Sequence, residues 1–475
     1  MTIFPRYIPQ VLIALLIAII LSGQWSAGGS AYGGLAYGAT VYDGSVYGAT
    51  AYGKGPPVPA ASSKKTGQPS KEAGVKGAKG ATSATSAKGT KGATSAIGAI
   101  GAKGATGATG AKDTTEARVA AIRHRLLIQF DNYLQNPKGY ADRLEQECQG
   151  FPRKDVLATI FPSLAYTNLA IGDQKSRAHA RLQAAKLIDL AILQVTAQVE
   201  PPNGRLENLR TYQKQAAYLG MLNLALGCYR MIGGDNRFEA IHQRITESLG
   251  KALAEENGRV LYSFPDLQRP LDTIVCLVSL RLHDQWAGES RFDKVIRQHL
   301  SWIRQNTLDK RLQLPYSIID PVTGRGRDLA RGSDLSFQLC LLPHLDYDYA
   351  VQDYKHYVQA FWLDYGADSL AGFREWPMGA DRGHDADSGP IYQRIGLCAT
   401  GFGLGAATAL KDKKRFERLC EQFPLLEAIV AGLGGQKRRA AGIPLDPRCY
   451  TGSLLGDAAL FYVITWQPWI NHAPK

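Results

Sequence analysis

The segment from Phe373 to Tyr392 reads FREWPMGADRGHDADSGPIY and sets Glu375, Asp381, Asp385 and Asp387 within thirteen residues, with Arg374, Arg382 and His384 among them. Carboxylates gathered in this way suit general acid–base chemistry. Glycoside hydrolysis takes two across a scissile bond, roughly 5–9.5 Å apart depending on stereochemistry. A lyase or dehydratase takes one base and one acid, drawn from Asp, Tyr or His. Two further acids stand near the starts of apolar stretches: Asp272, just after SFPDLQRP, and Asp334, in ARGSDLSF. The candidate catalytic set is therefore Asp387, Asp334, Glu375, Asp272 and Asp385.

Candidate substrate-binding residues surround them. Arg331, with Arg325 and Arg327 in GRGRDLARGSD, suits a carboxylate or sulfate of an acidic substrate, or else pairs with the acids of 375–387. Trp376 can stack on a sugar ring or fill a loop, and His384 and Tyr392 complete the set. One His beside two Asp is a poor ligand set, so neither a metal nor a cofactor is expected. The chain has no P-loop, dinucleotide fingerprint, HExxH or CxxC pattern.

A purely structural reading competes at each position. Asp and Ser near a helix start satisfy its open N–H groups and its positive dipole end. Ser333 and Ser388 read as such caps, and Pro270 and Pro390 fit first turns. Capping needs one acid per helix, however, and REWPMGADRGHDAD has four.

The elements that must position these residues are helical. Segments at 115–135, 154–171, 174–198, 206–232, 235–256, 270–285, 289–306, 333–343, 346–366, 390–410, 412–432 and 451–466 carry helical texture, and none alternates convincingly at period two. Odd segments are amphipathic, such as SRFDKVIRQHLSWIRQ; even ones, such as YLGMLNLALGCYRMI, are apolar nearly all round and therefore buried all round. Short links from even to odd segments carry Asp173, Asp235, Glu289, Asp346 and Asp412 at intervals of about 60 residues, a helical-pair repeat. Long links (136–153, 199–205, 257–269, 307–332, 367–389 and 433–450) lead into even segments, so all fall on one face, where sites are usually built. The expected fold is all-α: six helical hairpins in two concentric rings, an (α/α)6 toroid over 113–470.

At that point the chain resembles the (α/α)6-toroid superfamily of six-hairpin glycosidases, polysaccharide lyases and linalool dehydratase/isomerase, the last above all. The likeness rests on the helix-pair texture of 113–470 and on YLGMLNLALGCYRMIGGD and DADSGPIYQRIGLCATGFGLGAA. It implies a site in the central funnel at the long-loop face. Linalool dehydratase/isomerase further implies a lyase working with cysteine and acid–base residues, and none of its catalytic positions carries over to this chain.

Of the 475 residues, the first 112 differ in kind. Arg6 precedes an apolar run from Val11 to Leu21, so 1–31 reads as a signal peptide or an N-terminal membrane anchor, either of which exports the rest of the chain. Tyr recurs at 32, 37, 42, 47 and 52, and from Gly74 to Lys112 every third residue is Gly or Ser. Ser83, Ser86 and Ser95, with no proline in the triplets, argue against a collagen helix. Residues 32–112 are expected to be a disordered stalk. They also explain the net charge of +13: residues 1–112 hold eleven Lys/Arg against Asp43 and Glu72, leaving +4 for the rest. Nucleic acid is thus not an expected partner, whereas an anionic membrane or envelope surface is. Cys228, Cys276, Cys340 and Cys398 fall in even segments as small hydrophobes, and the seven cysteines suggest no disulfide framework, although Cys148 and Cys449 share the long-loop face.

These readings set the functional expectation: an exported enzyme using carboxylate acid–base chemistry on a glycan. The alternatives are a linalool-dehydratase-like lyase on a small apolar alcohol, or a non-catalytic envelope binding protein.

Overall fold

A computed structural model describes residues 115–148, 152–366, 369–385, 387–431, 438–440, 443–446 and 448–470. The expected signal or anchor at 1–31 and the repeats at 32–112 lie outside the described residues.

The domain is mostly helical. Its helices are α1 (Thr115–Tyr133), α2 (Pro137–Glu147), α3 (Pro152–Gly172), α4 (Arg177–Val199), α5 (Ala216–Met231), α6 (Glu239–Glu256) and α7 (Pro270–Ala287), followed by α8 (Asp293–Asn306), α9 (Gly332–Leu341), α10 (Tyr347–Phe361), α11 (Leu397–Ala409), α12 (Lys413–Cys420), α13 (Phe423–Ala431) and α14 (Leu454–Ile464). The apolar helices pack in sequence, α3 on α5, α5 on α7, α7 on α9, α9 on α11 and α11 on α14, and α14 returns to α3. Each amphipathic helix lies against that circuit: α4 on α3 and α5, α6 on α5, α8 on α7, α10 on α9, α12 on α11 and α1 on α14.

Composition explains the arrangement. Ala216 to Arg230 of α5 are buried without a break, so no face of that helix is left to water. Gly220 permits the approach to α7, since a Cβ there would sit 2.7 Å from the Cys276 sulfur. The middle of the circuit is filled by Phe161 of α3, Phe337 of α9, Phe402 of α11 and Tyr462 of α14, whose ring centroids lie 4.8 to 6.4 Å apart in the contacting pairs. Such aromatic contacts add about 0.5–1.5 kcal/mol each beyond burial. On the short links, Asp173, Asp235, Asp346 and Asp412 accept backbone N–H bonds at helix starts, while at the Glu289 link Asp284 does so by accepting from Phe292.

Among the described residues, strands occur as antiparallel two-stranded ribbons in the links between helices. They are β1 (Tyr262–Phe264) with β2 (Leu267–Gln268), β3 (Leu308–Asp309) with β4 (Leu314–Pro315), β5 (Trp362–Asp364) with β6 (Ala371–Phe373), β7 (Ile391–Tyr392) with β8 (Ile395–Gly396), and β9 (Arg438–Ala440) with β10 (Ile443–Leu445).

Several sequence expectations are corrected. The link 136–153 contains α2, launched by Asn136, whose side chain accepts from the Gly139 N–H. The segment expected at 206–232 opens with a 3-10 turn at Leu206–Asn208 and becomes α-helical only at Ala216, and 412–432 divides into α12 and α13. The segment expected at 390–410 begins as the β7–β8 ribbon and turns helical at Leu397, after Gly396. Ser388 and Pro390 therefore neither cap nor start a helix. Ser333 is not a cap either; it is the second residue of α9, and Arg331 holds the cap position without a side-chain capping bond.

Candidate functional site

Two neighbouring circuit helices begin with the same four-residue arrangement. Arg269-Pro270-Leu271-Asp272 opens α7 and Arg331-Gly332-Ser333-Asp334 opens α9. In both, the arginine N–H donates to a buried serine hydroxyl of its own link, Ser263 or Ser317, at 3.0 Å. A cation at a helix N-terminus opposes the dipole, so each needs acids around it.

The segment 373–392 supplies them. Arg331 Nε donates to Glu375 Oε1 at 2.8 Å and its Nη2 to Asp385 Oδ1 at 2.7 Å. Glu375, fully buried, also accepts from the Ser333 hydroxyl at 2.8 Å and the Ser333 N–H at 3.2 Å, so this carboxylate satisfies the start of α9 from a different link. Arg269 Nη2 donates to Asp387 Oδ2 at 3.0 Å, and its Nη1 lies 4.0 Å from Asp334 Oδ1. The Arg269 guanidinium thus stands between Asp334 and Asp387 and pairs with both.

The charges respond to this setting. Burial works against the Arg269 and Arg331 cations, but the carboxylates around them more than offset it and hold both groups protonated. Burial likewise works against Asp385, yet Arg331 and the Ser388 N–H hold it below the usual carboxylate range. Burial pushes Glu375 up to about 7, opposed by Arg331 and Ser333. Lys154, near the start of α3, is pushed down by burial and lies in the fields of Asp387 and Cys398. Burial pushes the Cys398 thiol up, and the neighbouring Glu375 adds to this.

The other expected residues take varied places. Asp272 is buried in the first turn of α7, within the field of Arg269. Trp376 fills the loop: it is buried, its Nε1 donates to the Gly383 carbonyl, and the Arg331 and Arg382 guanidinium carbons lie 4.9 and 5.3 Å from its ring centroid. His384 is exposed. Tyr392 lies in β7 with its hydroxyl buried and without a hydrogen-bond partner. Arg325 and Arg327 form no ion pair with the 375–387 acids among the described residues; there Arg382 pairs with Asp328 instead. No three His, Cys, Asp or Glu side chains among the described residues group to hold a metal.

At the start of α9, Asp334 Oδ2 is buried and has no hydrogen-bond partner, a condition shared by Asp284 Oδ1 and Asp353 Oδ2 elsewhere in the domain; beside it, Arg269 Nε has none either. A buried unbonded carboxylate oxygen costs stability and calls for an explanation.

Sequence reasoning passed over Arg269 and Lys154. The readable signal was the repetition of Arg-x-x-Asp in RPLD and RGSD, each at the threshold of an apolar helix. No protein-family model matches this chain.

Proposed function

We propose that the closed helical circuit is an (α/α)6 toroid, and that the chain is an exported enzyme performing carboxylate acid–base chemistry on a glycan at the end where the inner helices begin. The observation that carries this reading is Asp334 Oδ2, buried and unbonded at the start of α9 while Glu375, Asp385 and Asp387 nearby are held by arginines and serine. In this reading Asp334 takes or gives the substrate proton and Asp272 is the second carboxylate. Both stand on rigid helix ends beside Arg269, while Glu375, Asp385 and Asp387 position the arginines. Export follows from the apolar run after Arg6.

The test is incubation of the purified protein with a panel of neutral and acidic polysaccharides, reading new reducing ends for hydrolysis and unsaturated ends for elimination, with Asp334→Asn as the control. Binding without turnover across the panel would favour the non-catalytic envelope protein.

Cys398 favours a second reading. This second residue of α11 lies in the fields of Glu375, Lys154, Asp387 and Asp334, which suits a dehydratase-like lyase on a small alcohol. Loss of an alcohol dehydration activity in Cys398→Ser, with no activity on glycans, would select it.

A further inference from the structure

Arg269 and Arg331 are buried to 5% and 4% exposure, yet each bonds an aspartate whose own side chain is nearly half exposed: 44% for Asp387 and 47% for Asp385. The other carboxylates on these guanidiniums are far less exposed. Glu375 holds Arg331 Nε, Asp334 stands beside Arg269 Nη1, and Arg269 Nε is buried without a partner. The two aspartates belong to a stretch interrupted by Pro377, Gly379 and Gly383, with a left-handed backbone at Gly379. That stretch is held by ion pairs, from Arg382 to Asp328 and from Arg374 and Arg394 to Asp381, and by further hydrogen bonds, from Trp376 Nε1 to the Gly383 carbonyl and between Asp385 and Ser388. A buried guanidinium needs an anion, but it need not be this one.

We infer that Asp385 and Asp387 are stand-ins for the substrate's own anion: an acidic sugar delivers its carboxylate or sulfate to Arg269 and Arg331, displaces the loop aspartates, and so uncovers Asp334. This rests on the acid–base reading of Asp334 and adds the substrate class. Glu375 stays on Arg331 and Asp334 beside Arg269, and the incoming anion adds to them, so opening the loop leaves no buried cation unpaired. The planar fork of arginine accepts carboxylate and sulfate alike. Neutral sugars offer nothing to exchange, and for them the loop stays in place. Because the bound loop competes with ligand, weakening its hold raises apparent affinity.

Titration calorimetry with D-glucuronate, glucose 6-sulfate and glucose tests this on the wild-type chain and Asp387→Asn, both checked for folding by circular dichroism. Glucuronate or glucose 6-sulfate should bind where glucose does not, and whichever binds more tightly names the anion. Asp387→Asn should lower the Kd of that sugar by roughly tenfold, its competitor having been neutralised. Hydrogen exchange over residues 378–385 should rise when the wild-type chain is saturated. If Asp387→Asn does not fold, Asp385→Asn carries the same expectation. Equal binding of all three sugars, no binding by any of them, weaker binding by the variant, or unchanged loop exchange would each overturn the inference. None of these readouts needs turnover, so a fully active Asp334→Asn enzyme would remove the acid–base reading while leaving the anion exchange standing.

Discussion

His242 shows what a single buried side chain imposes on this protein. It is fully buried on α6, neither ring nitrogen has a hydrogen-bond partner, and its ring centroid lies 5.7 Å from that of His283. Burial, with His283 and Arg230 adding to it, pushes its pKa down to about 3. Protons therefore bind the unfolded chain more readily, and stability contributed by neutral His242 is present above about 6.5 and lost as pH falls toward 3. His283 and His299, also pushed down by burial, add to the same slope. Asp446, held at about 2 chiefly by Arg448, adds loss only below about 4. Glu147, Glu375 and Asp353, pushed up by burial to about 7, 7 and 8, act in the opposite direction over the same range. The test is therefore the difference: from pH 7 to 4.5 the melting temperature should fall more, or rise less, in the wild-type chain than in His242→Leu, and parallel slopes would show that His242 does not carry the effect. At the same scale, the acids of 373–392 were legible in sequence as a cluster and Arg331 as a partner for them, but Arg269 was not. Arg269 meets Asp387 across 118 positions, and side-chain pairing at that separation leaves no local pattern.

At the scale of elements, the approach of the 374–375 backbone to α9 depends on Gly332. Its N–H donates to the Glu375 carbonyl at 2.8 Å, and a Cβ there would lie 1.9 Å from the Arg374 carbonyl oxygen. Gly332→Ala should cost about 1–3 kcal/mol through overpacking against backbone, seen as a lower urea midpoint. Gly401→Ala, inside α11 with open space at its Cβ, should instead gain up to about 1 kcal/mol from helix propensity. Equal effects would mean that the loop contact is not what Gly332 is for. Periodicity located the long helices because an apolar face repeats along each of them. It misplaced the start of α11 because Gln393 and Arg394, both at positive φ, make the two-residue turn of the β7–β8 ribbon without the usual Asn-Gly signal. It missed α2 because the Asn136-Pro137 start reads equally as a turn.

For the whole molecule, the core is supplied by α1 to α14: the buried apolar residues form one cluster running from Ile122 to Ile470. Removing residues 32–112 should leave the melting temperature of the described domain nearly unchanged, since a Gly-, Ala- and Ser-rich repeat has little apolar area to bury; a drop of many degrees would show that the repeats dock or oligomerise it. The helical circuit was readable from the alternation of amphipathic and all-apolar segments, because burial on every side leaves its mark on every residue of a helix. Which acid works was not readable, since a capping aspartate and a proton-transferring one have the same sequence and differ only in what their oxygens touch. Turnover by Asp334→Asn therefore tests the proposed function most directly, measured on any polysaccharide that the wild-type chain is found to cleave and alongside the melting temperature of both. The account predicts a loss of about 100-fold or more with an unchanged melting temperature, as for removal of a general acid or base. Wild-type turnover in the variant, or a variant that loses activity only because it unfolds, would contradict it.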